Sequence, residues 1–297
     1  MMNAEKFRGT TVALVTPFDR NGEVDEPTLR KLVDWHVEMG TDVILSCGTT
    51  GESATLSHEE HHLVNEIVIA QSNKRVPVLC GAGSNATQEA VSLTEHAEKS
   101  GADAILSVSP YYNKPTQEGL YQHFKTIAEA TGLPVIVYNV PGRTGCNITA
   151  ETCLRLAAIP NIIGVKEASG NFSQIMQILR SRPQGFLVLS GDDAITLPMM
   201  AMGADGVISV IANEMPDALH EMVHAALAGN FEKARDLHNR ILPLMEGNFI
   251  ESSPIPVKTA LAMMGKIEEQ FRLPLVKMAD GNKKKLQKIL QDLELID

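Results

Sequence analysis

At 297 residues the chain is too long for a minimal domain; at roughly 150 residues per domain it is two domains, or one large barrel with an appendage. Hydrophobic residues make up 44%, charged residues 21% and aromatics 4%, a globular balance that excludes a disordered, collagenous or disulfide-scaffold chain. The formal net charge of −10, with no concentrated basic patch, excludes nucleic acid as the expected partner.

The opening MMNAEKFRGT lacks the apolar stretch of a secretory signal, and no segment approaches the roughly 18 apolar residues of a membrane helix, so the expected location is the cytoplasm. Cys47, Cys80, Cys146 and Cys153 have neither CxxC nor zinc spacing and read as free thiols.

Short apolar runs alternate with helical patterns along most of the chain, the signature of parallel βα units. Strands are expected to end near Val15, Cys47, Cys80, Val108, Tyr138, Lys166, Ser190 and Val210. Eight such units close a (β/α)8 barrel. Gly40-Thr41-Asp42, Gly101-Ala102-Asp103 and Gly203-Ala204-Asp205 repeat one αβ loop, with glycine at the left-handed helix-ending position. Asp25 with Pro27 starts one helix, and Ser57 with Glu60 forms a capping box for the next. From about residue 213 the chain reads as successive helices, with kinks expected at Pro198 and Pro243. The expected division is a catalytic barrel over residues 1–229 and a C-terminal helical domain over 230–297.

In such barrels the side chains just beyond each strand form the site. Here they include Gly48-Thr49-Thr50-Gly51-Glu52, Pro110-Tyr111-Tyr112, Asn139-Val140-Pro141-Gly142-Arg143, Lys166-Glu167 and Gly191-Asp192. Lys166 carries the sharpest chemistry. Strict alternation puts Ile162, Gly164 and Lys166 on one face and Ile163 and Val165 on the other, with Gly164 leaving room beside the lysine. Burial in the barrel mouth disfavours the charged amine, and a neutral amine attacks carbonyls. A lysine paired with Glu167 is the structural alternative. The Thr49–Thr50 turn can offer backbone N–H groups to a carboxylate, and Arg143 can grip a second one. Neither GTTGE nor GAG has the spacing of a nucleotide-binding loop, so no nucleotide cofactor is expected.

Three segments in this order, Gly48-Thr-Thr-Gly-Glu-Ser53, Tyr138-Asn-Val-Pro-Gly-Arg-Thr-Gly145 and Gly164-Val-Lys-Glu-Ala-Ser-Gly170, closely resemble the 4-hydroxy-tetrahydrodipicolinate synthases (dihydrodipicolinate synthases). The resemblance extends through PYYNKPTQEGLYQHF and PIPVK, with Ser253 standing where asparagine is expected. It implies a class I aldolase reaction in which Lys166 forms an imine with pyruvate and the enamine adds to L-aspartate 4-semialdehyde. It further implies Tyr138 as general acid/base, with Thr49 and a neighbouring subunit's copy of Tyr112 completing a proton relay. Thr50 would hold the pyruvate carboxylate, Arg143 the aldehyde substrate's carboxylate, and Gly191 and Ile208 would line the imine. An allosteric L-lysine site is implied at Ser53, Ala54, His58, His61, Asn85, Glu89 and Tyr111, as is a homotetramer. No cofactor or metal is implied, because the protonated imine is the electron sink.

Two rival readings are a sibling pyruvate aldolase acting on a sugar acid and a catalytically idle paralogue. A third is a zinc hydrolase, because His58-Glu59-Glu60-His61-His62 satisfies HExxH. That segment occupies the first turn of a capped helix, where acidic residues favour the helix dipole, and no third ligand is evident downstream.

Overall fold

The computed structural model describes residues 4–297. Eight parallel strands, each hydrogen-bonded to the next and the eighth to the first, close a barrel. They are β1 (Gly9–Ala13), β2 (Val43–Ser46), β3 (Val78–Gly81), β4 (Ala104–Val108), β5 (Val135–Asn139), β6 (Ile162–Glu167), β7 (Leu187–Ser190) and β8 (Gly206–Ser209). The intervening helices are α1 (Glu26–Glu38), α2 (His58–Ser72), α3 (Thr87–Ser100), α4 (Gln117–Glu129), α5 (Pro141–Thr144), α6 (Ala150–Leu156), α7 (Phe172–Ser181) and α8 (Thr196–Ala201). After β8 come α9 (Pro216–Leu227), α10 (Phe231–Gly247), α11 (Ile255–Met263) and α12 (Asp280–Asp292). Among the described residues, no helix is long and apolar enough to cross a membrane. The four cysteines are free, and three of them are buried.

Period-2 alternation sorts the strand residues into two cores. Leu45, Leu79, Leu106, Ile136, Leu187, Leu189 and Ile208 fill the barrel, whereas Ile44, Cys80, Ile105, Val137, Val188 and Val207 face the helices. Phe7 plugs the N-terminal end of the interior. Burying such a ring contributes about 1.5–3 kcal/mol.

The repeated Gly-x-Asp loops have a structural purpose beyond ending helices. Gly40, Gly101 and Gly203 all take positive φ, at +82°, +92° and +101°. The aspartate that follows each then accepts the opening amide of the preceding strand: Asp42 from Thr10, Asp103 from Val78 and Asp205 from Val188, at 2.7–3.0 Å. Each loop therefore pins two adjacent strands in register. The Asp25 cap accepts from the Thr28 amide, and the Ser57/Glu60 capping box is complete.

Three expectations need correction. β1 ends at Ala13 and not at Val15, because Val15 gives its amide to the Asn213 side chain instead of the sheet. Pro198 lies in the first turn of the six-residue α8, where an absent N–H interrupts nothing; Pro243 is internal to α10. β6 does not alternate strictly. Val135 pairs with Ile162 but Ile136 with Gly164, so an irregularity near the start of β6 turns Ile162 outward and Ile163 inward. Gly164 serves this close approach: a Cβ there would sit 2.8 Å from both Cβ and O of Leu187 on β7.

The boundary expected at residues 229–230 falls on the turn between α9 and α10. The apolar core runs across that turn, from the barrel helices through Ile241 and Leu244 to Leu286 and Leu290.

Candidate active site

The C-terminal ends of the strands bring most of the expected residues together. Tyr138 and Lys166 are register partners on β5 and β6, which places the ammonium nitrogen 4.2 Å from the tyrosine ring centroid. Both are buried, at 6% exposure each. Among the described residues Lys166 has no ion-pair or hydrogen-bond partner. Glu167 points away from it, accepting from Asn139, the Ser169 amide and Gln174, so the Lys166–Glu167 pair does not exist.

Burial pushes the Lys166 ammonium down to about 7, with the charge of Asp193 opposing and Arg143 assisting. A lysine in that range is substantially neutral near physiological pH. Burial likewise pushes the Tyr138 phenol up to about 12, partly offset by Arg143 and the Thr49 hydroxyl. The phenol thus stays protonated, able to give a proton and to take it back. The space beside the lysine comes from Gly191 and not, as expected, from Gly164. A Cβ on Gly191 would lie 3.0 Å from Cε of Lys166 and 2.7 Å from Cβ of Ala168. Ile208 is fully buried in the barrel interior.

The loop after β2 is a tight turn bounded by two non-glycine residues at positive φ, Cys47 (+50°) and Glu52 (+53°). Its internal bonds use the amides of Gly51, Glu52 and Ser53, while Thr16 Oγ1 donates to the Gly51 carbonyl at 2.6 Å. Among the described residues, the amides of Thr49 and Thr50 take no part in that network, and Thr50 is buried. The turn is further fixed by a buried ion pair between Glu52 and Lys258, the lysine of the PIPVK segment on α11, whose ammonium lies 4.2 Å from the Phe18 ring centroid. Arg143 is exposed on α5 at the mouth, with one long contact of 3.4 Å to the Ser253 carbonyl. The contact uses the backbone carbonyl of Ser253 and not its side chain.

Tyr112 is not part of this assembly. It is 89% exposed and held at φ +74°, a strained value for a large side chain. The neighbouring Tyr111 lines a cavity of about 410 Å³ with Ser53, Ala54, His58, His61 and Glu89, and the same cavity reaches Thr49 and Arg143. Asn85 joins it through a hydrogen bond from its amide to the Tyr111 carbonyl, at 3.2 Å. His58 Nε2 meets Glu89 at 2.7 Å, and the bond from Ser84, with that from His58, holds the Glu89 carboxyl below its ordinary range. Burial keeps His61 neutral, down to about 4.

The HExxH pattern at His58 is not assembled as a zinc site, since His58 turns to Glu89 while His62 stacks on His96 with ring centroids 3.6 Å apart.

Sequence reasoning passed over two buried charges. Asp193 accepts the amides of Val210 and Ile211 at 3.0 Å and raises the Lys166 pKa; the doubled acid directly after β7 was the available signal. Lys258 lay within a segment recognised only as a motif, and nothing in sequence announces a partner 206 positions away.

The Dihydrodipicolinate synthetase family model matches residues 6–293. The 4-hydroxy-tetrahydrodipicolinate synthase of Syntrophus aciditrophicus (strain SB) is 55% identical over 290 residues, covering 98% of this chain and 99% of its own. The solved structure of the chloride-inhibited dihydrodipicolinate synthase from Acinetobacter baumannii complexed with pyruvate is 48% identical, covers 97% of this chain and 99% of its own, and superposes with a TM-score of 0.96. The enzyme from Cyanidioschyzon merolae with lysine bound superposes with a TM-score of 0.96 at 40% identity, covering 98% of this chain and 99% of its own. A barrel closed over a buried, depressed lysine beside a tyrosine, and matched along nearly its whole length, leaves one assignment: the chain belongs to the dihydrodipicolinate synthetase family.

Proposed function

We propose that this chain is a 4-hydroxy-tetrahydrodipicolinate synthase that joins pyruvate to L-aspartate 4-semialdehyde through an imine at Lys166. The observation that carries the reading is a buried lysine with no ion-pair partner among the described residues, its ammonium pushed down to about 7 beside a protonated tyrosine. The neutral amine adds to the keto carbon of pyruvate and water leaves, giving the imine. Loss of a methyl proton gives the enamine, whose carbon bonds to the aldehyde carbon. The substrate's amino group then displaces Lys166, closing the ring and regenerating the amine. Tyr138 moves the protons, with Thr49 beside it and Tyr112 of a second subunit beyond. The Thr49 and Thr50 amides and the Thr50 hydroxyl hold the pyruvate carboxylate, Gly191 and Ile208 shape the wall, and Arg143 receives the second carboxylate. No cofactor is needed.

The exposure and strained backbone of Tyr112 fit a residue whose place lies in a partner, within a homotetramer built as a dimer of dimers. The cavity lined by Ser53, Ala54, His58, His61, Glu89 and Tyr111, with Asn85 at its edge, fits L-lysine as a feedback inhibitor: Glu89 would receive the ammonium, and Asn85 and Tyr111 the carboxylate.

Borohydride reduction with pyruvate, followed by peptide mass mapping, is expected to label Lys166 alone; an unlabelled Lys166 at saturating pyruvate defeats the reading. Arg143→Leu is expected to keep that labelling and to lose turnover of aspartate semialdehyde in a coupled assay. Equal turnover would favour a different second substrate. Millimolar L-lysine is expected to slow the wild type and to have much less effect on Glu89→Gln.

A further inference from the structure

The face of the barrel opposite the active site carries a cluster that the synthase chemistry does not use. On α9, His220-Glu221-Met222-Val223-His224 spells a second His-Glu-x-x-His, and one helical turn brings both imidazoles to the same side. Their rings tilt against each other with centroids 4.0 Å apart. Across from them, in the loop between α1 and β2, stands Asp42. Its carboxylate meets His224 Nε2 at 2.9 and 3.2 Å and His220 Nδ1 at 3.5 Å. One ligand atom from each of the three residues falls within 4.8 Å of the others, and among the described residues no other group of histidine, cysteine or acidic side chains does so.

We propose that Asp42, His220 and His224 form a binding site for a divalent first-row metal ion of the zinc type, which clamps α9 to the α1–β2 loop across the seam where the barrel closes.

Four independent features support it. A tetrahedral ion with bonds near 2.0–2.1 Å needs its ligand atoms about 3.3 Å apart, and the carboxylate-to-imidazole separations bracket that spacing. Asp42 is oriented from behind by the Thr10 amide at 2.7 Å, the outer-sphere support that fixes a metal-binding carboxylate. Gly9, at φ +96° on the opening of β1, leaves the cluster its room, since a Cβ there would stand 2.9 Å from Asp42 Cγ and 3.3 Å from His224 Nε2. Finally, among the described residues no lysine or arginine pairs with Asp42, and His220 Nδ1, covered from solvent, makes only the long 3.5 Å approach to Asp42.

Two imidazoles and one carboxylate suit zinc better than calcium or magnesium, and the exposed side of His224 leaves a fourth position for water. The site is a clamp and not a hydrolase: Glu221, which would be the base of a metallopeptidase, is turned outward into a 2.6 Å ion pair with Lys233.

The test is titration of tag-free, chelator-stripped protein with Zn²⁺ in competition with a chromophoric chelator, alongside thermal unfolding. One Zn²⁺ is expected per chain, with a raised Tm. His224→Gln and His220→Gln should each weaken binding by more than about 100-fold, since loss of an outer-sphere partner alone costs about 10- to 100-fold. His62→Gln, in the other His-Glu-x-x-His, should bind like the wild type. Retained pyruvate-dependent borohydride labelling of Lys166 certifies that each variant is folded. In crystals soaked with Zn²⁺, an anomalous peak is expected between the three side chains. Absence of stoichiometric binding, undiminished binding in the His224→Gln and His220→Gln variants, or loss of binding in His62→Gln overturns the assignment.

Discussion

A buried lysine without an ion-pair partner among the described residues is a cost to the fold. Lys166 titrates near 10.5 in the unfolded chain and near 7 when folded, so between these values the unfolded state binds more protons. Stability therefore rises as pH climbs from 7 towards 10.5, and the penalty is complete below 7. Lys166→Met should be inactive yet more stable at pH 7 by up to about 4 kcal/mol, a gain that shrinks by pH 10. Urea unfolding at the two pH values measures it; a variant less stable than wild type at pH 7 contradicts the assignment of a desolvated amine. The same titration should appear in catalysis. The kcat/KM for pyruvate is expected to rise through an apparent pKa near 7 as the free amine loses its proton, where an ordinary lysine would still be rising beyond pH 9.

The elements around that lysine are positioned by packing more than by local preference. In β6 Lys166 faces inward while Val165 lies against the helices, and the irregularity that precedes them depends on Gly164 meeting β7 without a side chain between. The loop after β2 is held from α11, since Glu52 takes a left-handed backbone and hands its carboxylate to Lys258 in a fully buried pair. Among the described residues Glu52 Oε2 has no hydrogen-bond partner, so the carboxylate depends on Lys258 at its other oxygen. Lys258→Met is expected to destabilise the protein by about 3–5 kcal/mol in denaturant melts. Adding Glu52→Gln should recover part of that loss, because the stranded charge goes with it. If the single variant is as stable as wild type, the pair is not holding the loop.

Across the assembled protein, the unusual feature is Tyr112, whose ring is the most exposed of the large hydrophobic side chains among the described residues. On the reading proposed above, its hydroxyl serves a neighbour's Lys166. Tyr112→Ala should therefore leave the chain's own stability within about 0.5 kcal/mol of wild type while abolishing most turnover. Mixed with inactive Lys166→Met under conditions that exchange subunits, it should regain about a quarter of wild-type activity. In a two-fold dimer half the pairs are hybrids, and each hybrid holds one intact site. No recovery on mixing would mean that the relay is completed within one chain. On the same reading, the adjacency of Tyr111, which lines the cavity, and Tyr112 would give an effector bound there a direct route to the relay, because ordering one residue constrains the backbone of the next.

The chain's own pattern was enough to specify eight strands in order, the Gly-x-Asp turns, the capping box on α2, and a lysine at a strand end. Each of these rests on local chemistry: periodicity, the conformational freedom of glycine, and side chains that bond backbone a few positions away. The resemblance of three loops then supplied the reaction. What only the closed barrel decided are the relations between distant positions. The register shift of β6 against β5 set which way Ile162 and Ile163 face, and the packing of β7 beside β6 set that Gly191, not Gly164, makes room for the amine. The fold chose Lys258 for Glu52, and it chose which of two His-Glu-x-x-His segments meets a third ligand. His58 and His62 diverge to separate partners, while His220 and His224 converge on an aspartate 182 positions before the latter. A repeat of residue types fixes a helix face, but what stands opposite that face is set by the closing of β8 onto β1, and no local rule contains that distance.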